Sequence, residues 1–246
     1  MTQSSSSPLP GQRYDKDYTY ELYDQAYYQS VCRNEQYLSH RWRLRWIDAC
    51  LCPQPGDRIV DLGCGAGLVA KHCASRGAIV HGVDLAEEAI KVCRATNRDY
   101  PQNTFVRGDA SRCDHLPSES FDKACSIDVT EHCGHDVMCD IFAEAYRLLK
   151  PGGLYMVYTP NPRHWIEVAR RLHLQPQKPE HTGLRPAEVI VDALRSRGFE
   201  LHRQIKPPSM IPVVQWLERL WSMQPIFPEL GVYRVVVVGR KPGRAA

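Results

Sequence analysis

At 246 residues the chain has room for one α/β domain with a complete core and some appended structure. An apolar fraction of 43%, a mean hydropathy of −0.41 and the lack of any long apolar run exclude a helix that crosses a membrane. The net charge of +3 and pI near 8.3 are too small to predict a nucleic-acid partner, which would need a concentrated basic patch.

The first residues, Met1-Thr2-Gln3 and four serines, have neither the positive start nor the apolar centre of a secretory signal. Residues 1–13 therefore read as a disordered leader and the protein as cytoplasmic. Residues 14–52 read as an N-terminal helical cover. Its first part holds Tyr14, Tyr18, Tyr20, Tyr23, Tyr27, Tyr28 and Tyr37, and residues 34–51 form a helical run with Trp42, Leu44, Trp46 and Ile47 among arginines. Two readings stand: helices that simply pack on the main domain, or a lid whose aromatics close over a bound molecule. Pro53, Pro55 and Gly56 then open the main domain, residues 53–246.

In that domain strands are expected at 58–62, 78–84, 104–106, 121–127, 154–159, 200–205 and 233–239. Helices are expected at 68–75, 87–98, 137–149 and 186–197. This alternation implies βαβ units with right-handed crossovers and a sheet covered by helices on both faces. The last strand is nearly pure valine, as suits a strand buried on both sides. The rhythm breaks at 160–185 and 206–231, which read as irregular insertions on the substrate side carrying Trp165, Trp216 and Trp221. Those tryptophans either grip a planar substrate or form the insertions' own core.

Ten cysteines contain no C-x-x-C pair and fall mostly in expected core elements, so they read as reduced, buried thiols. The densest Cys/His cluster, His132-Cys133-Gly134-His135 with Cys139, matches no usual zinc spacing, and no metal ligand is assigned there.

The chemistry concentrates at Asp61-Leu62-Gly63-Cys64-Gly65-Ala66-Gly67, where a short apolar strand breaks into glycines before a helix. Such a loop brings bare backbone and a helix N-terminus to the carboxyl edge of the sheet, where a ligand approaches closely. Dinucleotide loops usually read G-x-G-x-x-G, for a diphosphate on the helix N-terminus. Here the glycines alternate and follow an acid, which repels a diphosphate but accepts a hydrogen bond from an ammonium group. That favours a cofactor with an amino-acid end. Asp84 closes the second strand, where an acid accepts from ribose hydroxyls. Asp109 closes the third, where it can meet an adenine amino group or cap a turn. The three acids are expected to share one crevice.

Together with Val83-Asp84, Gly108-Asp109-Ala110, Phe121-Asp122 and Leu149-Lys150-Pro151-Gly152-Gly153, the loop resembles the successive motifs of class I S-adenosylmethionine-dependent methyltransferases. The resemblance covers residues 57–160 strongly and the rest more weakly. It implies a Rossmann-like sheet of seven strands, mostly parallel, with the last strand antiparallel between its neighbours. It implies that Asp61, Gly63, Cys64, Gly65 and Gly67 lie along the methionine part of the cofactor. Asp84 with Leu85 would hold the ribose, Asp109 and Ala110 would flank the adenine, and Ser126 and Ile127 would line the methionine side.

A narrower resemblance, to the E-V-L-E-H stretch of ubiquinone-biosynthesis O-methyltransferases, lies in Ser126-Ile127-Asp128-Val129-Thr130-Glu131-His132. It implies catalytic roles for Asp128, Glu131 and His132, with His132 as general base because imidazole titrates near neutral pH. A divalent metal at these residues is the less favoured alternative. His181, after the Thr159–Pro162 turn, faces the acceptor or else caps the insertion. The expected activity is methyl transfer from S-adenosyl-L-methionine to a small-molecule acceptor, most readily at oxygen, with nitrogen, sulfur or a protein substrate as alternatives. A nicotinamide-dependent oxidoreductase and a non-catalytic cofactor-binding protein are the other classes, and monomer and homodimer are both left open.

Overall fold

A computed structural model of the chain describes residues 25–33, 38–176, 181–223 and 228–244. The expected leader, and Tyr14, Tyr18, Tyr20, Tyr23 and Tyr37, lie outside the described residues, as does the side chain of Trp221.

Two helices, α1 (Gln25–Arg33) and α2 (Leu38–Cys50), precede β1 (Arg58–Leu62). Then follow α3 (Leu68–Ala74), β2 (Ile79–Asp84), α4 (Glu87–Thr96), β3 (Thr104–Arg107) and β4 (Phe121–Ile127). A 3₁₀ turn, Thr130–His132, leads to α5 (His135–Leu148) and β5 (Leu149–Pro160). The chain continues through α6 (Trp165–Arg171), α7 (Ala187–Ser196), β6 (Glu200–Ile205) and α8 (Pro212–Ser222), and ends with β7 (Arg234–Arg240).

The seven strands form one sheet in the order β3-β2-β1-β4-β5-β7-β6. β1 to β5 are parallel, and β7 runs antiparallel between β5 and β6. This is the topology expected from the sequence. Strand alternation divides the core into two layers. Val60, Ala124, Val157, Val235 and Val237 face α5 and α7 on one side of the sheet. Ile59, Cys125, Met156, Val236 and Val238 face α2, α3 and α4 on the other. The valines of β7 serve both layers, which is why that run has no polar alternation. β6, at the open edge, carries Glu200, His202 and Arg203 at its surface, as an edge exposed to unwanted pairing should.

The two insertions are not irregular. Residues 160–185 contain α6, and residues 206–231 contain α8 and a 3₁₀ turn at Pro228–Gly231. Their flanking prolines hid short helices that begin directly after the breaks. Trp165 and Trp216 are 44% and 61% exposed, so neither forms an insertion core.

Candidate active site

The carboxyl ends of β1, β2 and β4 open onto a cavity of about 280 Å³, floored by the glycine loop and roofed by α1 and α2. Asp61, on the last turn of β1, is 1% exposed. Its Oδ1 accepts a weak hydrogen bond from the Cys125 thiol at 3.5 Å, and its buried Oδ2 has no partner among the described residues. Burial, reinforced by the nearby Asp84 charge, pushes the Asp61 carboxyl up to about 7. Asp84 accepts from the Gly65 amide at 2.8 Å and from the Ala86 amide at 3.0 Å. Burial raises its carboxyl too, against the pull of those amides. The acid therefore ties β2 to the glycine loop while its carboxylate still faces the cavity.

Gly65 sits at φ +50, and a Cβ built there would find only Tyr28, 4.0 Å away. Any side chain at this position would project into the cavity. Tyr28 packs with Ala66, Leu68, Ala86 and Ala89, which fastens α1 over the loop.

At the end of β4, Asp128 adopts φ +54, a left-handed conformation that aspartate tolerates. The turn aims its carboxylate between two guanidinium groups, with Arg43 Nη2 at 2.5 Å and Arg234 Nη1 at 2.9 Å. Burial alone would raise the Asp128 carboxyl, but the charges of Arg43 and Arg234 hold it below the usual carboxylate range. Arg43 lines the cavity, and its buried Nε has no hydrogen-bond partner among the described residues.

Next along the chain, Glu131 is 1% exposed and accepts from the Thr159 hydroxyl at 2.9 Å. Burial and the Asp128 charge raise its carboxyl to about 8. His132 lines the cavity and meets His181 edge to face, with ring centroids 5.3 Å apart. Two contacts hold these distant segments together. The Gly183 amide donates to the Glu131 carbonyl at 2.8 Å, and Arg185 donates to the carbonyls of Thr130 and Cys133, both at 2.8 Å. The donor atoms of Glu131, His132 and His181 all lie within 4.8 Å of one another. This is the one group among the described residues with the spacing to hold a metal ion.

The cavity thus gathers Asp61, Gly63, Cys64, Gly65, Asp84, Leu85, Ala110, Ile127, Asp128 and His132 from the expected residues. Glu131 and His181 stand beside it. Gly67, Asp109 and Ser126 are not among its lining residues. Gly67 caps α3 from beneath. Asp109 Oδ1 accepts from the amide and hydroxyl of Ser111 at 2.8 and 2.7 Å. Ser126 points to the opposite face of the sheet from Cys125, where its hydroxyl lies 2.8 Å from that of Tyr155. Sequence reasoning missed Arg43, Arg185 and Arg234. No local pattern marks them, because the contacts that place them in the site all reach across more than 50 residues.

The buried, unpartnered Asp61 oxygen suits an ammonium group, and the unpartnered Nε of Arg43, which lines the same cavity, suits a carboxylate. Asp84 and the apolar walls of Leu85 and Ala110 suit a nucleoside. The residues present therefore fit a nucleoside with an amino-acid end, and fold and site together define a class I methyltransferase.

Comparison with known proteins agrees. A methyltransferase-domain family matches residues 60–157. A ubiquinone biosynthesis O-methyltransferase of Paracidovorax citrulli is 31% identical over 201 residues, 66% of this chain and 81% of that protein. The chain belongs to the S-adenosylmethionine-dependent methyltransferases. A sterol 24-C-methyltransferase of Yarrowia lipolytica is 28% identical over 199 residues, 73% of this chain and 46% of that protein. The chain spans about half the length of the sterol methyltransferases it matches. Geranyl diphosphate C-methyltransferase from Streptomyces coelicolor, solved with Mg²⁺, geranyl-S-thiolodiphosphate and S-adenosyl-L-homocysteine, superposes with a TM-score of 0.62. That likeness covers 82% of this chain and 76% of the other at 17% identity, and it shows a shared fold.

Proposed function

We propose that the chain methylates a small molecule, at an oxygen whose proton passes to the His132–His181 pair. The observation that carries this reading is the position of His132, which lines the cofactor cavity on one side and touches His181 on the other. When bound, S-adenosylmethionine supplies a methyl group already activated as a sulfonium. The chain's own work is to hold, align and exclude water. Asp61 and Arg43 would hold the amino-acid end and Asp84 the ribose. His132 and His181 would then stand where a protonated nucleophile needs an acceptor for its proton.

Glu131, with its carboxyl raised to about 8, keeps a proton at neutral pH and supports the pair as a neutral hydrogen-bonding group. A divalent metal held by Glu131, His132 and His181 would require this carboxyl to ionise. Residues 14–52 and the two insertions serve as the cover around the acceptor in this reading. Ten free thiols suit a reducing compartment such as the cytoplasm.

Relatives named for methylation at carbon and at oxygen both match the chain, so the acceptor atom is what the decisive experiment must read. Phenols, catechols and isoprenoid alkenes would be offered with methyl-labelled S-adenosylmethionine to the intact protein and to His132→Ala. The expected result is labelled ether from a hydroxyl acceptor, with kcat lowered about 10²–10⁴-fold in the variant and S-adenosylhomocysteine affinity retained. Transfer to alkene carbon, or a His132→Ala enzyme with unchanged kcat, overturns the oxygen reading.

A further inference from the structure

Helix α8 presents its faces in reverse. Glu218, in its middle, is 4% exposed and turned inward. There Oε1 lies 3.0 Å from His164 Nε2, and Oε2 accepts from the Ser209 amide at 2.6 Å. The outward face carries Val213, Trp216, Leu217 and Leu220, each between 45% and 70% exposed, at the spacing of one helical stripe. Met223, one turn beyond Leu220, is 79% exposed. A surface helix of a water-soluble domain normally does the opposite, burying its apolar stripe and exposing its charge.

The His164–Glu218 contact joins this helix to α6, which His164 precedes, and α6 repeats the pattern. Trp165 is 44% exposed, and Leu172 and Leu174, just past its end, are 63% and 72% exposed. Each helix contains a single acid, Glu167 or Glu218, and both are buried. The cations Arg171 and Arg219 remain at the surface. The described parts of both helices thus show solvent tryptophan, leucine and arginine, with no exposed carboxylate.

We propose that α8 and the end of α6 form an interfacial docking surface for a bilayer bearing anionic headgroups. Such a helix lies in the plane of the interface, with tryptophan and leucine at the acyl boundary and arginine against the headgroup phosphates. Charge selects this partner over a second copy of the chain. Pairing the face with itself would set Arg171 and Arg219 against the same cations, with no acid on either helix to answer them. The surface follows the carboxyl end of β5, at the sheet edge that holds the cavity, so docking leaves the opposite edge in water.

The test is flotation of the full chain with vesicles of phosphatidylcholine alone and of phosphatidylcholine mixed with phosphatidylglycerol. Light scattering would give the oligomeric state in parallel. The expected result is binding to the anionic vesicles that weakens as salt is added. Leu217→Glu and Trp216→Glu should each reduce it about tenfold or more. Both side chains are exposed, so thermal stability and S-adenosylhomocysteine affinity should not change, which separates lost docking from lost folding. No binding to either vesicle, equal binding by the variants, or a dimer that Leu217→Glu dissolves without any vesicle binding each overturns the proposal.

Discussion

A carboxyl held at about 7 inside the cofactor cavity makes Asp61 a site where stability and binding oppose each other. Its proton is retained in the folded protein but lost from the unfolded chain above about pH 4. The folded state therefore gains from this group at low pH, and the gain is lost as pH rises through about 7. Asp61→Asn should raise the stability of the cofactor-free protein near neutral pH by on the order of 2 kcal/mol, read from urea midpoints. The same change should abolish measurable binding of S-adenosylhomocysteine. In the unmodified protein that affinity should fall about tenfold per pH unit below 7, since an ammonium partner needs the carboxylate. Calorimetry in buffers of different ionisation enthalpy would show the released proton. Asp128 should behave differently. Its removal in Asp128→Ala leaves the half-buried Arg43 and Arg234 without their counterion, at a cost of about 1–3 kcal/mol, whereas Asp128→Asn keeps one acceptor and costs less.

At the scale of elements, the legible parts were those where geometry demands a residue type. Gly63, Gly65, Asp61 and Asp84 follow from close approach and a strand end and all line the cavity, and the valines of β7 follow from two-sided burial. Asp109 and Ser126 were read correctly as strand-end residues, but their side-chain directions depend on a turn and on strand parity that one sequence does not fix. α6 and α8 stayed hidden because the prolines before them read as breaks, and what the sequence could not say is that their apolar residues face outward. The segment carrying His181 is held by the Gly183 amide and the Arg185 guanidinium, both donating to backbone carbonyls of the 3₁₀ turn and the residue after it. A Cβ at Gly183 would collide with the Cys133 carbonyl. Gly183→Val should therefore lift this segment from the 3₁₀ turn and separate the two imidazoles. Methyl transfer would be lost while S-adenosylhomocysteine still binds, an outcome that paired calorimetry and turnover assays distinguish.

For the molecule as a whole, the cavity is a joint between α1 and α2, β1, β2 and β4, so a ligand filling it should resist global unfolding. S-adenosylhomocysteine at one hundred times its Kd should add about 2.7 kcal/mol, and Asp84→Ala should erase the effect. A shift of equal size in the variant would disconnect Asp84 from the ligand. The antiparallel placement of β7 has a consequence of another kind, in the order of biosynthesis. Arg234 is the first residue of this last strand, and its partner Asp128 was synthesised 106 positions earlier. A chain emerging from the ribosome carries the glycine loop, the three cavity acids and Arg43 long before it can insert β7 between β5 and β6. Until then Asp128 has only one of its two cations, and β5 is an open sheet edge. The charge balance at Asp128 is therefore completed only after β7 has been made and inserted, long after the glycine loop has emerged.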